Sequence, residues 1–293
     1  ELPVLFLTRP KYGLTEEEKE RRDFEKRASE HFAAEKKAGG ISALMNPVTY
    51  VIINCAAYTA VDRAEHDSEK ADLLNRVAPG YLAEAMDAVG GTMLHISTDY
   101  VFDGSAHIPY KEDAPTKPIG VYGRTKLAGE EEVICGCTGS MVIRTAWLYS
   151  TFGNNFVKTM LRLGKEKDQL GVIFDQIGTP TYARDLARTI LHIVQQGIKP
   201  GVYHYTNEGV CSWADFAQEI MRLSGAQTVI HPIPSSEYPA RAKRPANSRM
   251  SKNKLDENGF AYEKNVASDF DARNRGILFA FTADRVLDTF MPN

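Results

Sequence analysis

The sequence predicts an α/β protein built on a parallel sheet covered by helices. Short apolar runs at residues 2–8, 50–57, 92–97 and 140–148 alternate with longer helical segments at 16–37, 67–89 and 122–134, as in strands joined by crossover helices. The runs are also continuous rather than alternating, which suits strands buried on both faces. At 293 residues the chain is long enough for one large domain or two intimate ones.

The elements follow in order. Residues 2–8 have strand length, and the charged segment 16–37 has high helix propensity until Gly39-Gly40 stops it. The strand at 50–57 ends in Asn54-Cys55-Ala56-Ala57-Tyr58-Thr59. A helix at 67–89 is closed by Gly90-Gly91, and a strand at 92–97 leads into Ser97-Thr98-Asp99. A loop containing Pro109, Pro115 and Pro118 precedes the helix at 122–134. The strand at 140–148 ends in Arg144-Thr145-Ala146-Trp147, followed by a helix at 153–163 and a strand at 170–175. The turn Gly178-Thr179-Pro180-Thr181 leaves Thr181 as the cap of a helix at 182–195. One more strand at 202–205 and one more helix at 213–224 precede a Pro- and Ser-rich region, 230–245, where irregular structure is expected.

Composition excludes several classes. Hydrophobic residues at 43% and charged residues at 25% are average for a globular chain. A net charge of -3 gives no basic footprint, so no nucleic acid partner is expected. No apolar run reaches the roughly 20 residues of a bilayer span, and no leader pattern opens the sequence, so a cytoplasmic protein without a membrane partner is expected. The four cysteines show no second pair at zinc-site spacing, which predicts reduced thiols and no metal. His95 falls within a strand pattern, where a satisfied core histidine is expected.

The chemistry gathers between Ser97 and Lys126. Tyr122 and Lys126 stand four apart on a helix and share a face. A phenol near 10 is a poor acid or base at neutral pH, but a nearby ammonium favours the phenolate and brings it toward the working range. Thr98, at a strand end, is placed to orient the same substrate oxygen. The three fit carbonyl reduction by a nicotinamide, with hydride to carbon and a proton from Tyr122 to oxygen. Asp99 and Asp103 also fit loop capping, and Trp147 at a strand's carboxyl end fits a ring stacked on a ligand. The run Glu130-Glu131-Glu132 reads as a solvated helix face.

These residues carry a resemblance. The motif 54–62, the runs 97–104 and 122–130, Arg144-Thr145-Ala146-Trp147, residues 153–160, Asp175-Gln176-Ile177-Gly178-Thr179-Pro180-Thr181 and Arg244-Pro245-Ala246-Asn247-Ser248 together resemble the dTDP-4-dehydrorhamnose reductases, which are extended short-chain dehydrogenases/reductases. The resemblance implies a Rossmann-like, doubly wound parallel sheet with a smaller, discontinuous α/β substrate-binding domain. Residues 1–150 would form the dinucleotide-binding domain, 151–293 the substrate domain, and 182–206 would return to the first. It implies NADPH or NADH as cofactor, a dTDP-sugar substrate reduced at its 4-keto group, and leaves a homodimer open.

By the same resemblance Thr98, Tyr122 and Lys126 are catalytic. Ala57, Tyr58, Thr59 and Ile96, with Tyr122 and Lys126, line the cofactor, and Thr98, Asp99, Trp147, Asn155, Gln176 and Arg244 contact the substrate, Arg244 as a pyrophosphate partner. Related dehydratases place Asp then Glu after the threonine. Tyr100 fills the second place here, which favours a simple reductase. The family's glycine-rich phosphate turn is replaced by Arg9-Pro10-Lys11-Tyr12-Gly13-Leu14-Thr15, with one glycine. That replacement leaves a second reading, a non-catalytic binding subunit resembling the regulatory subunit of methionine adenosyltransferase.

Overall fold

The structure, a computed structural model, describes residues 50–260 and the backbone of one earlier strand, β1 (Val4–Leu7). The helix expected at 16–37, its glycine stop, the turn at 9–15 and the chain after 260 lie outside the described residues.

After β1 the chain enters β2 (Val51–Asn54), a short helix α1 (Val61–Ala64), then α2 (Ser68–Asp72). A π-helical turn, Leu73–Val77, joins α2 to α3 (Ala78–Asp87), so the single helix expected here carries an inserted wide turn. Gly90, at φ 64, ends this rod. Strand β3 (Thr92–Thr98) leads through a 3-10 turn, Asp99–Val101, and a long loop to α4 (Val121–Gly136). No side chain of its own caps α4; Glu65 accepts the Val121 N–H at 2.8 Å instead.

Next come β4 (Met141–Thr145), β5 (Leu148–Tyr149), α5 (Phe156–Glu166), β6 (Gln169–Ile173), β7 (Ile177–Gly178) and β8 (Thr181–Tyr182). The chain continues through α6 (Ala183–Gln196), β9 (Gly201–His204), β10 (Cys211–Ser212), α7 (Trp213–Ser224), β11 (Val229–Ile233) and α8 (Asn253–Glu257). A Ser212/Asp215 capping box starts α7, and Gly225 at φ 69 ends it.

Two expectations are corrected. Thr181 does not cap α6; pairing with β5 draws it into β8, so Tyr182 takes the cap position without a side-chain cap bond. The region 230–245 is not irregular throughout, because 229–233 pairs with β6 in a two-stranded sheet. Such a strand is all edge and tolerates Pro232.

Among the described residues the central sheet has five parallel strands in the order β1-β2-β3-β4-β9. Val51, Ile53, Leu94, Met141 and Ile143 face α6, where Leu186, Ile190 and Ile193 complete one core. Met93 and Val142 point the other way, onto Ala83, Met86 and Val133 of α3 and α4. A parallel sheet with helices on both faces results, and burying each of its large apolar side chains contributes about 1.5–3 kcal/mol. A further core joins α5 and α7 to β6, around Met160, Leu170, Phe216 and Ile220. Among the described residues no helix is long and apolar enough to cross a membrane, no cluster could hold a metal ion, and the cysteines are unpaired.

Candidate active site

The site forms where β2 and β3 end, as ligand sites of open parallel sheets do. Thr98 is the last residue of β3. Its side chain accepts the Tyr100 N–H at 3.2 Å, donates to Asp99 Oδ1 at 3.0 Å, and stands beside the Tyr122 phenol. Helix α4 presents Tyr122 and, one turn later, Lys126 to this edge. Two glycines let α4 approach so closely. A Cβ on Gly123 would stand 2.2 Å from the Tyr100 carbonyl oxygen, and one on Gly129 1.8 Å from that of Asn75.

The electrostatics differ from expectation. Lys126 does not bring Tyr122 toward neutrality; burial, reinforced by the Asp99 charge, outweighs the Thr98 hydrogen bond and pushes the phenol up to about 12. Lys126 is turned elsewhere, its Nζ donating to the Ile96 carbonyl at 2.7 Å and lying 3.0 Å from His95 Nε2. Burial lowers Lys126 to about 8, against the attraction of Glu130 and Cys55. Asp99, only 2% exposed, is raised to about 6 by burial, opposed by hydrogen bonds from Ser248 and Thr98.

Ile96 thus reaches the site through its carbonyl. His95 is a fully buried, hydrogen-bonded core histidine, and its partners are Asn54 and Lys126. Glu130 is not solvated: it is 1% exposed, paired with Arg144 at 2.7 Å and hydrogen-bonded by Ser97. Asp103 caps its loop through Ser105 and Tyr110, as expected.

The loop at 57–59 is held by Asn75 in the π turn, a residue the sequence reading missed. Asn75 Oδ1 accepts the Tyr58 N–H at 2.7 Å, and its Nδ2 donates to the Tyr58 carbonyl at 3.2 Å and Thr125 Oγ1 at 3.0 Å. A lone asparagine in an apolar helical stretch, Leu73-Leu74-Asn75-Arg76-Val77, is the signal that was available. The Tyr58 ring packs into a small core beside Tyr122 while its hydroxyl donates to Asp67, Ala57 is half-buried, and Thr59 is exposed.

Distant motifs converge on the same edge. Gly104, at φ 81, lies under Pro245 and Ala246, with no room for a side chain. Asn247 and Ser248 bond on to the carbonyls of Gly104 and Ile177. Gln176 and Arg244 line a cavity of ≈ 290 Å³ walled by Phe156, Met160, Leu170 and Trp213. Arg244 is anchored by Asp62 at 2.6 Å, and Asp62 also accepts the Ala242 N–H at 2.9 Å. Asn155 spends both polar ends locally, accepting the Lys158 N–H to cap α5 and donating to the Ser150 carbonyl. Trp147 stands at φ 50, a left-handed conformation that disfavours side chains. Its ring stacks on Trp213 at 3.5 Å rather than facing open space.

An amine, a phenol and a hydroxyl at one sheet edge, beside a backbone loop fixed by Asn75, suit the nicotinamide and ribose end of a dinucleotide. The turn at 9–15, where the sequence reading looks for the phosphate site, lies outside the described residues.

Comparison with known proteins agrees. The RmlD substrate binding domain matches residues 20–270. The chain is 44% identical over 218 residues to the dTDP-4-dehydrorhamnose reductase of Salmonella typhimurium, covering 71% of this chain and 73% of that protein. It is 42% identical over 209 residues to the spore coat polysaccharide biosynthesis protein SpsK of Bacillus subtilis, covering 71% and 73%. Among solved structures, a dTDP-4-dehydrorhamnose reductase of Bacillus anthracis in complex with NADP aligns with a TM-score of 0.71 at 41% identity, covering 73% of this chain and 76% of that one. The Clostridium acetobutylicum counterpart gives 0.70 at 45%, covering 73% and 76%.

Proposed function

Because the chain belongs to the RmlD family of dTDP-4-dehydrorhamnose reductases, we propose that it reduces the 4-keto group of dTDP-4-dehydro-L-rhamnose to dTDP-L-rhamnose, with Thr98, Tyr122 and Lys126 as its catalytic residues. It is an NAD(P)H-dependent oxidoreductase of nucleotide-sugar biosynthesis. The observation that carries the reading is the meeting of the Thr98 hydroxyl and the Tyr122 phenol at the end of β3.

A nicotinamide, when bound, would supply the hydride that the carbonyl carbon needs. Tyr122 supplies the proton to the resulting alkoxide, and a phenol held at about 12 stays protonated at working pH, the form reduction needs. Thr98 orients the oxygen, and Asp99 sets Thr98. Lys126 can return a proton to the site when it is in its ammonium form and, with Ile96 and the loop of Ala57, Tyr58 and Thr59, forms the cofactor wall. Trp147, Asn155, Gln176 and Arg244 belong to the sugar-nucleotide side. The cavity beside Gln176 and Arg244 supports this for those two, whereas Asn155 acts through the α5 cap that it makes.

The proposed division is a dinucleotide-binding domain at 1–150, rejoined by 182–206, and a substrate domain at 151–293; the pairing of β9 with β4 supports the return. A cytoplasmic location and a homodimer complete the proposal.

The test is Tyr122→Phe in a coupled assay of NADPH oxidation with the dTDP-keto-sugar. A rate loss of about 10²- to 10⁴-fold with an unchanged circular dichroism spectrum is expected; near-normal turnover would sink the assignment.

A further inference from the structure

His95 is fully buried between Asn54 at the end of β2 and Lys126 on α4. Its Nδ1 lies 3.0 Å from Asn54 Nδ2, and its Nε2 lies 3.0 Å from Lys126 Nζ. The Asn54 amide is fixed in orientation by its own loop, since Oδ1 accepts the Ala56 N–H at 3.0 Å and an amide NH₂ cannot accept. The NH₂ therefore faces the imidazole and donates to Nδ1, which must be the bare nitrogen of a neutral ring. That leaves the ring proton on Nε2, aimed at Lys126. An ammonium has no lone pair to receive it, whereas a free amine does and still donates to the Ile96 carbonyl at 2.7 Å.

We propose that Asn54 and His95 are positioning residues that favour Lys126 as a free amine, and that Lys126 gains a proton only as the ring proton moves to Nδ1 and the Asn54 amide turns away from Ala56. The net uptake is one proton, on Nζ; His95 stays neutral and exchanges one tautomer for the other. The Lys126 charge and the path of the loop at 55–59 are then one equilibrium. Other groups also face Nζ. Glu130, one turn further along α4, and Cys55, just beyond β2, favour the ammonium, although Arg144 and Ser97 engage the Glu130 carboxylate. Burial opposes them, and the facing ring N–H acts in the same direction as burial.

The inference rests on reading Lys126 as part of the reductase site, but its main test needs no turnover. The whole protein, labelled with ¹⁵N in its histidine rings, is followed by NMR from about pH 5 to about pH 10, with His95 assigned through its Cβ. A protonated Nε2 and bare Nδ1 at the alkaline end, changing to the other tautomer as Lys126 gains its proton, is the expected result. A cationic ring, or a proton on Nδ1 at every pH, overturns the proposal. In Asn54→Asp the carboxylate accepts from Nδ1, so the proton should stay there throughout; an unmoved tautomer rejects Asn54 as the lock. His95→Gln offers an oxygen to the ammonium, and the Lys126-dependent inflection of kcat/KM should rise by about one pH unit. An unmoved inflection counts against His95. Failure of Tyr122→Phe to lose activity would instead remove the reductase reading and leave the tautomer result standing.

Discussion

Asp99 stores a pH dependence in one side chain. Burial holds its carboxyl at about 6, against 3.8 for a solvated one. The fold therefore binds that proton more tightly than the unfolded chain does, so the stabilisation is complete below 3.8 and is lost as pH rises through about 6. At 1.36 kcal/mol per unit the loss is roughly 3 kcal/mol. Asp99→Asn cannot ionise, so its urea-unfolding free energy should gain on the parent's by roughly that amount between about pH 4 and about pH 7. Parallel curves for the two proteins would show that Asp99 carries no such load. Thr98, Tyr122 and Lys126 were legible in the sequence because a strand end and a four-residue helical spacing are local facts. The direction of the Tyr122 shift was not, because it depends on how deeply the ring is buried and on the Asp99 charge beside it.

Helix α4 and the π turn act as one unit. Asn75 gives its whole amide to Tyr58 and Thr125, and Asn75→Ala leaves the buried Tyr58 N–H without its acceptor, at a cost of about 1–3 kcal/mol. Equilibrium unfolding should register that loss, and KM for NADPH should rise more than kcat falls, since the loop moves while Tyr122 stays. Equal effects on both parameters would argue that Asn75 serves packing alone. Gly129→Ala drives a methyl group into the Asn75 carbonyl and should cost about 1–3 kcal/mol by overpacking, with a matching fall in denaturation midpoint. An unshifted midpoint would mean that the two backbones can part freely. Strand and helix order was readable from periodicity, and the described elements fall close to where the apolar runs put them. What periodicity could not reveal was partnership: β5 claiming Thr181, β6 pairing across Pro232, Arg144 drawing Glu130 inward. Each is decided by a residue far away in sequence.

Across the molecule, the Asp62–Arg244 pair ties the first helix after β2 to the segment that closes over Gly104 and the turn at Ile177. Asp62→Ala should free that segment, raising KM for the sugar nucleotide about tenfold or more with kcat nearly unchanged; steady-state kinetics at constant NADPH would reveal it, and an unaltered KM would show that Arg244 needs no anchor. The non-catalytic alternative was motivated by the turn at 9–15, while the reaction-side geometry depends on residues 54 to 130, where Thr98, Tyr122 and Lys126 meet at one sheet edge. The stacked rings of Trp147 and Trp213 carry a practical consequence. They are the two tryptophans of the chain, so all of its indole emission arises from one coupled pair beside the cavity that Gln176 and Arg244 line. Any sugar nucleotide that parts the rings will change the protein's intrinsic fluorescence, giving a label-free optical readout of occupancy.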